Sequence, residues 1–389
     1  MSRGPASRIR VGLALACAGL TAGCGTQAAT VAVTRPPAVT ASLSTSLTTA
    51  QGTWAIAVMG GSAASHNNFW QLFVRRANTG RWSLATPEGV ADNGGLVAAG
   101  GNGSLVVGFR PSQELAYSPL ATSTDAGLNW TPGLLDAALA DTPGAIAVGP
   151  SGRTLALLQD GTIEAAPTAD DAAAGRWVPL ATLKALAASA PGRSCGLKGM
   201  TAVSFGPDQN PIAAGSCVRP GVAGVFTDAG GTWRSAGLTL PGNGPGMGTV
   251  RVLGLTALPG GNAALLATGD SLLAAWWDGT RWTVSAPVTA DGVRALGFGP
   301  GGSAWLLLDS ERAETIAGAA GSTWRALPPV PAGTTVLAPP GTGTLAPGTG
   351  GSYDALAVSG SRLTVWRLAR GAWGKVQQIT VPVQYGSSG

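Results

Sequence analysis

Side chains able to do acid–base, nucleophilic or metal chemistry are scarce in this 389-residue chain. Its one histidine, His66, sits in the polar stretch Ser65-His66-Asn67-Asn68, which reads as a solvated loop. A Ser-His-Asp relay would have to pass through that residue, and a multi-histidine metal centre lacks ligands. Three tyrosines (Tyr117, Tyr353, Tyr385) and five glutamates (Glu88, Glu114, Glu164, Glu311, Glu314) show no spacing that pairs one type with the other. The string Gly341-Thr342-Gly343-Thr344-Leu345-Ala346 superficially matches a dinucleotide fingerprint, but it follows Pro339-Pro340 and opens no helix. No Gly-Lys-Ser/Thr phosphate loop occurs. Neither a metal nor a cofactor is expected.

The four cysteines divide by position. Arg3, Arg8 and Arg10 precede an apolar stretch, Val11 to Leu20, that is too short to span a bilayer. Small residues follow up to Cys24, in Leu20-Thr21-Ala22-Gly23-Cys24. This segment resembles a bacterial lipoprotein signal, although Thr21 stands where that family usually has Leu. The resemblance implies cleavage after residue 23 and lipidation of Cys24; the alternative is plain secretion with Cys24 unmodified. Cys17 is a poor alternative, because cleavage there would shorten the apolar stretch severely; Cys195 and Cys217 are then the pair left over, which in an exported chain reads as a disulfide.

Removal of the three early arginines leaves 21 basic against 19 acidic residues, with no Lys/Arg cluster. That is no electrostatic footprint for a polyanion, so nucleic acid is not expected as a partner. Residues 24–51 are mostly Thr, Ala, Ser and Pro. Such a composition buries too little apolar surface to offset ordering entropy, and it reads as a disordered tether.

The elements that must position any functional group announce themselves through tryptophan. Trp82, Trp130, Trp177, Trp233, Trp282, Trp324 and Trp373 each lie two or three residues past a glycine. Successive differences between these positions are 48, 47, 56, 49, 42 and 49. A period in that range marks repeated units that cannot bury their apolar faces alone. Within each unit, short apolar stretches are separated by Gly/Pro or Asp-Gly turns, as in Ala145 to Pro150, Thr154 to Leu158 and Asp160-Gly161. Four short strands per unit at this period predict an all-β, seven-bladed β-propeller of antiparallel blades over 52–389. The expected blades are 52–90, 94–135, 144–182, 199–240, 250–288, 292–330 and 334–380. The first looks one strand short, so a terminal strand, C-terminal or from the tether, is expected to close the ring.

Two of the turns are near-complete versions of one motif. They are Ser123-Thr124-Asp125-Ala126-Gly127-Leu128-Asn129-Trp130 and Phe226-Thr227-Asp228-Ala229-Gly230-Gly231-Thr232-Trp233. Both are similar to the Asp-box of sialidases and related (BNR-type) repeat propellers, Ser-x-Asp-x-Gly-x-Thr-Trp. The structural roles follow from residue chemistry. Asp125 and Asp228 can accept backbone N–H bonds, Gly127 and Gly230 can supply positive φ, and Trp130 and Trp233 can bury their rings against a neighbouring sheet. The other five turns are eroded; Asp278-Gly279-Thr280-Arg281-Trp282 has moved its acid.

Sialidases themselves use three arginines, a Tyr–Glu nucleophilic pair and an acid/base aspartate, and carry an early Arg-Ile-Pro. The nearest string here is Phe109-Arg110-Pro111, and no Tyr–Glu pair is assignable. No catalytic residue is therefore assigned. In propellers of this grammar the loops between second and third strands, and those between blades, crowd one mouth of the central channel. That places Arg110, Glu114, Arg219, Asp270, Asp309 and Arg312 as candidate binding residues. The resulting expectation is a non-catalytic, exported lipoprotein on the outer face of the cytoplasmic membrane. It would act as a binding or assembly platform for an envelope protein, like the photosystem assembly factors that share the turn motif. Polysaccharide binding is the second reading, and a sialidase-like glycoside hydrolase the third. Carbohydrate binding predicts exposed rings among Trp70, Trp276, Trp305 and Trp366.

Overall fold

The computed structural model describes residues 44–49, 51–59, 69–77, 79–87, 95–100, 103–109, 120–132, 143–241, 248–289, 292–318, 323–339 and 353–381. Cys24, His66, Arg110, Glu114, Tyr117 and Tyr385 lie outside them. The fold is all-β and propeller-like, built from consecutive antiparallel runs of four strands.

Seven such runs follow one another among the described residues, the first and sixth joined through their first strands into one eight-stranded sheet. The first comprises Ser44–Thr48, Gly52–Met59, Phe69–Arg76 and Trp82–Leu84; the second Gly95–Ala99, Leu105–Phe109, Leu120–Ser123 and Thr131–Pro132. The third is Ala145–Val148, Thr154–Leu157, Ile163–Ala166 and Val178–Ala181; the fourth Leu197–Phe205, Pro211–Cys217, Ala223–Asp228 and Trp233–Ser235. The fifth holds Val250–Leu258, Gly261–Thr268, Ser271–Trp277 and Trp282–Val284, with a short Val288–Thr289 strand also paired to its third member. The sixth holds Val293–Phe298, Ala304–Leu308, Ala313–Ile316 and Arg325–Ala326; the seventh Thr334–Ala338, Asp354–Ser359, Arg362–Ala369 and Ala372–Thr380.

The opening strand corrects the reading of the tether. Ser44–Thr48 pairs antiparallel with Gly52–Met59 and parallel with Val293–Phe298, so ordered structure extends back into the stretch read as disordered. Its Ser/Thr/Leu composition offers little apolar surface, which is why composition alone hides it. It is held by backbone pairing on both sides, a kind of support that composition does not report. It also gives the first run its missing strand, while the C-terminal Ile379-Thr380 belongs to the last strand of the seventh run.

Apolar clusters join each run to the next. Trp54, Ile56 and Leu72 of the first pack with Leu105 and Val107 of the second. Val106 and Leu120 meet Ala156 and Ala166, and Leu155 and Leu157 meet Met200 and Phe205. The series continues through Ala214 with Leu266 and Leu265 with Leu306. A final cluster holds Trp305 and Leu307 of the sixth run, Leu356 and Leu363 of the seventh, and Phe73 and Trp82 of the first. All seven turn tryptophans belong to these clusters, and three of their indole N–H groups reach the preceding run. Trp282 Nε1 donates to Ala236 O at 3.0 Å, Trp373 Nε1 to Pro328 O at 3.2 Å, and Trp82 Nε1 to Asp354 Oδ2 at 2.8 Å. The amphipathic ring thus buries its body between sheets while its donor is satisfied.

The seam between seventh and first runs carries a charged network as well. Asp354, fully buried, accepts Arg75 Nη1 at 2.5 Å and Arg367 Nε at 2.8 Å in addition to the Trp82 indole. Arg75 also donates to Pro339 O and stacks over the Trp82 ring. Burial lowers the Arg75 pKa, against the attraction of Asp354, while the hydrogen bond to Asp354 raises that of Arg367. Beside them the Gln377 amide both accepts from Trp82 N–H and donates to Trp82 O, copying a peptide group.

Three short helices interrupt the strands. The first, α1 (Ala169–Ala173), fills the third run's glycine-tryptophan turn, and Trp177 Nε1 donates to its Ala172 carbonyl. Then α2 (Leu183–Ala188) and α3 (Ala190–Cys195) form the insertion before the fourth run. Their N-caps, Thr182 and Ser189, accept from Ala185 N–H and Gly192 N–H. Helix α3 stops at Gly196 in the left-handed region, and Cys195 is bonded to Cys217 with Cα atoms 5.4 Å apart.

Candidate functional site

The turns between third and fourth strands are self-contained. Asp125 Oδ1 accepts Leu128 N–H at 3.1 Å and Asn129 N–H at 2.9 Å, and Ser123 Oγ accepts Gly127 N–H at 2.8 Å. Gly127 has φ +82°, and Trp130 packs into the cluster between first and second runs. In the fourth run Asp228 Oδ1 accepts Gly231 N–H at 2.7 Å; Gly230 and Gly231 both have positive φ, and Trp233 packs toward the third run. The displaced acid of the fifth run does the same job, since Asp278 Oδ1 accepts Thr280 and Arg281 N–H. Hydrogen bonds to the charged form hold Asp125 at about 2, led by Asn129 N–H, and Asp278 at about 2, led by the Thr280 hydroxyl. These carboxylates are spent on their own turns.

The hairpins between second and third strands lie at the other end of each run. They bear the described members of the candidate set: Arg219 on Val218–Val222, Asp270 after Gly269, and Asp309 and Arg312 on one turn. Between fifth and sixth runs these hairpins border a cleft of about 790 Å³. Asp270 and Arg312 line it, Asp309 adjoins its Ser310 wall, and Arg219 is not among its lining residues.

Each wall has a local cause. The Asp309–Arg312 turn is closed by Leu308 N–H to Arg312 O at 2.9 Å, with Glu311 at φ +60°. Arg312 Nη2 donates to Thr289 O at 2.9 Å, so its guanidinium is held against the connection leading out of the fifth run. Gly292 on that connection has φ +140°, and a Cβ there would run into the Asp309 carboxylate. Asp270 is exposed, with no hydrogen bond or ion pair to any described side chain.

Sequence reasoning missed two arginines that belong with this mouth. Arg251 lines the cleft, exposed at the start of the fifth run's first strand. Arg294 occupies the equivalent place in the sixth run and donates to Asp309 O at 3.2 Å and Thr334 O at 3.3 Å. The signal was present: Val250-Arg251-Val252-Leu253-Gly254 and Val293-Arg294-Ala295-Leu296-Gly297 repeat one pattern. The cleft is thus a polar mouth with Arg251 and Arg312 as cations, Asp270 as anion and apolar Leu253, Leu272 and Val293 beneath. Such a lining can bind and orient a charged segment.

Other singled-out side chains serve packing. Trp276 and Trp305 are buried in the core, while Trp70 and Trp366 are half-buried against core clusters. Tyr353 is half-buried against the last cluster, and desolvation raises its hydroxyl pKa to about 12. Glu164 and Glu314 are buried at corresponding places in the third strands of the third and sixth runs, and burial raises both pKa values.

Solved structures similar to this chain include YCF48 from Cyanidioschyzon merolae, at 17% identity over 86% of this chain and 95% of that one, TM-score 0.43. YCF48 bound to D1 peptide is similar at 15% identity over 81% and 90% of the two chains, TM-score 0.44. A proposed 6-phosphogluconolactonase from Bacteroides uniformis is similar at 15% over 85% and 97%, TM-score 0.46. No protein-family model matches the chain, and no curated protein matches it.

Proposed function

We propose that this protein is an exported, Cys24-acylated lipoprotein whose seven-bladed propeller, with Asp-box-like turns, is a non-catalytic docking platform for an envelope protein. The observation that carries the reading is the cleft between fifth and sixth runs, where Arg251, Asp270 and Arg312 face solvent above a small apolar floor. Two guanidiniums and a carboxylate around one mouth, with Arg312 held by Thr289 O, can read a charged polypeptide by orientation as well as by charge. The Cys195–Cys217 disulfide fits an oxidising compartment. No helix among the described residues is long and apolar enough to cross a membrane; the acyl chain on Cys24 is the proposed attachment.

The test is crosslinking in native envelopes followed by affinity capture of the full chain. A specific envelope protein should be captured by the wild type and reduced about tenfold or more by Arg251→Glu with Arg312→Glu, as for charge reversal at the centre of an interface. Equal capture by that double variant would sink the cleft as the docking site. The anchor is read separately: Cys24→Ser should abolish metabolic labelling with a radioactive fatty acid. The glycosidase alternative predicts release of reducing sugar from envelope polysaccharide, lost in the cleft variant. Polysaccharide binding would have to use the half-buried rings of Trp70 and Trp366, because Trp276 and Trp305 are buried in the core.

A further inference from the structure

We infer that the insertion before the fourth run, together with the hairpin it is bonded to, forms a cationic knob that docks on anionic phospholipid headgroups. The inference rests on the proposed membrane anchor for its setting, while its own evidence is separate. Arg193, Lys198 and Arg219 are all exposed, and each lies within three residues of Cys195 or Cys217. The disulfide thus ties together two segments that carry the charge: the end of α3 leading into Leu197–Phe205, and the Val218–Val222 hairpin. Backbone bonds fix the same junction, Val218 N–H to Gly196 O at 2.9 Å and Arg219 N–H to Cys195 O at 3.1 Å.

None of the three cations has a carboxylate partner. The ion pairs among described residues involve Arg75, Arg176, Arg281 and Arg367. Between residues 172 and 227 the sole acid is Asp208, which sits on the turn at the far end of Pro211–Cys217. Seven strand residues separate it from the knob by roughly 20 Å, well beyond a Debye length at physiological salt. Lys184 is left out of the knob, because α2 begins against the Asp160-Gly161 turn through Leu183 N–H to Gly161 O.

The tip is apolar. Val218 is 55% exposed and stands next to Arg219, one of five large hydrophobic side chains exposed to that degree or nearby among the described residues. Cations without a carboxylate partner beside an exposed aliphatic side chain on a disulfide-tied insertion suit a membrane interface, where the charge meets phosphate and the aliphatic group enters the headgroup boundary. An acidic protein would satisfy the cations and leave Val218 in water, so the lipid surface is the occupant chosen. Docking there would hold the hairpin face, and with it the Asp270–Arg312 cleft, toward the membrane and any partner emerging from it.

The test is cosedimentation of the full chain carrying Cys24→Ser, which cannot be acylated, with phosphatidylcholine vesicles and with phosphatidylcholine–phosphatidylglycerol vesicles. The readout is the ratio of the two partition coefficients. Each cation near an anionic surface contributes about fivefold, so a ratio on the order of a hundred is expected at low salt. Half-molar salt should collapse it. Arg193→Gln, which gives up the bond from its guanidinium to Ala188 O, with Lys198→Gln and Arg219→Gln should bring the ratio close to one while circular dichroism shows the chain still folded. Equal binding to both vesicles, an unchanged ratio in the triple variant, or capture on polyglutamate beads without vesicle binding would each overturn the knob. Fatty-acid labelling of wild-type Cys24 decides the anchor independently of any of these results.

Discussion

At the scale of single residues, the turn aspartates work as local caps and their chemistry is readable in acid. Asp125 and Asp278 both have folded pKa values of about 2, below their ordinary 3.8. Stabilisation from a depressed carboxylate is complete above the unfolded value and is lost as pH falls through the folded one. Thermal midpoints should therefore fall between about pH 4 and pH 2, and Asp125→Ala with Asp278→Ala should flatten that part of the curve. At neutral pH Asp125→Ala should cost about 1 kcal/mol in urea unfolding, the usual loss for a capping side chain. The buried glutamates have the opposite sign. Glu164 and Glu314 are raised above their ordinary 4.5 by burial, so the folded state holds their protons longer than the unfolded chain does. Stability then declines as pH rises from about that value, and Glu164→Gln with Glu314→Gln should remove the decline. An unchanged slope between pH 4.5 and pH 7 in that double variant would contradict the assignment.

At the scale of elements, the insertion and the seam carry the strongest single commitments. Closing 22 residues of separation by Cys195–Cys217 should stabilise by about 3 kcal/mol on the chain-entropy account. Cys195→Ser with Cys217→Ser should lose about that amount in denaturant unfolding, whereas reductant should leave the double variant unaffected. At the seam, Asp354→Asn leaves Arg75 buried without its counter-charge and should cost about 3–5 kcal/mol, with Arg75→Met in addition recovering part of the loss. The disulfide was legible in the sequence because Cys195 and Cys217 are the one pair left outside the segment that resembles an export signal. The strands were legible because apolar stretches alternate with glycine turns, so the expected 144–182 and 334–380 units hold Ala145–Ala181 and Thr334–Thr380. The seam was not legible. Arg75, Asp354 and Arg367 are hundreds of residues apart at the extremes, and no local pattern links partners brought together only when the chain returns to its start. The Ser44–Thr48 strand stayed hidden for a related reason, since its pairing partners hold it through backbone groups. The cleft was half legible: hairpin position yielded Asp270 and Arg312, while Arg251 and Arg294 sit in strands otherwise read as core.

At the scale of the whole molecule, closure decides how the chain loses its structure. In an open repeat array each unit adds a roughly independent increment, and removing a terminal unit subtracts that increment. Here the last run is a neighbour of both the sixth and the first through one shared cluster, which includes Met59, Phe73, Trp82, Trp305 and Leu307. Removing it would uncover two faces at once, strip Trp82 of its Asp354 and Gln377 partners, and leave Arg75 without compensation. Full-length protein should accordingly unfold in urea in one transition, with tryptophan fluorescence and far-ultraviolet circular dichroism sharing a midpoint. A chain ending at Leu327 should fail to reach that baseline and should bind a hydrophobic dye, because the exposed faces are large and ungated by charge. A truncated chain that kept a cooperative transition, with its midpoint lowered by only a small fraction, would show that the units stack as a line whose ends are independent.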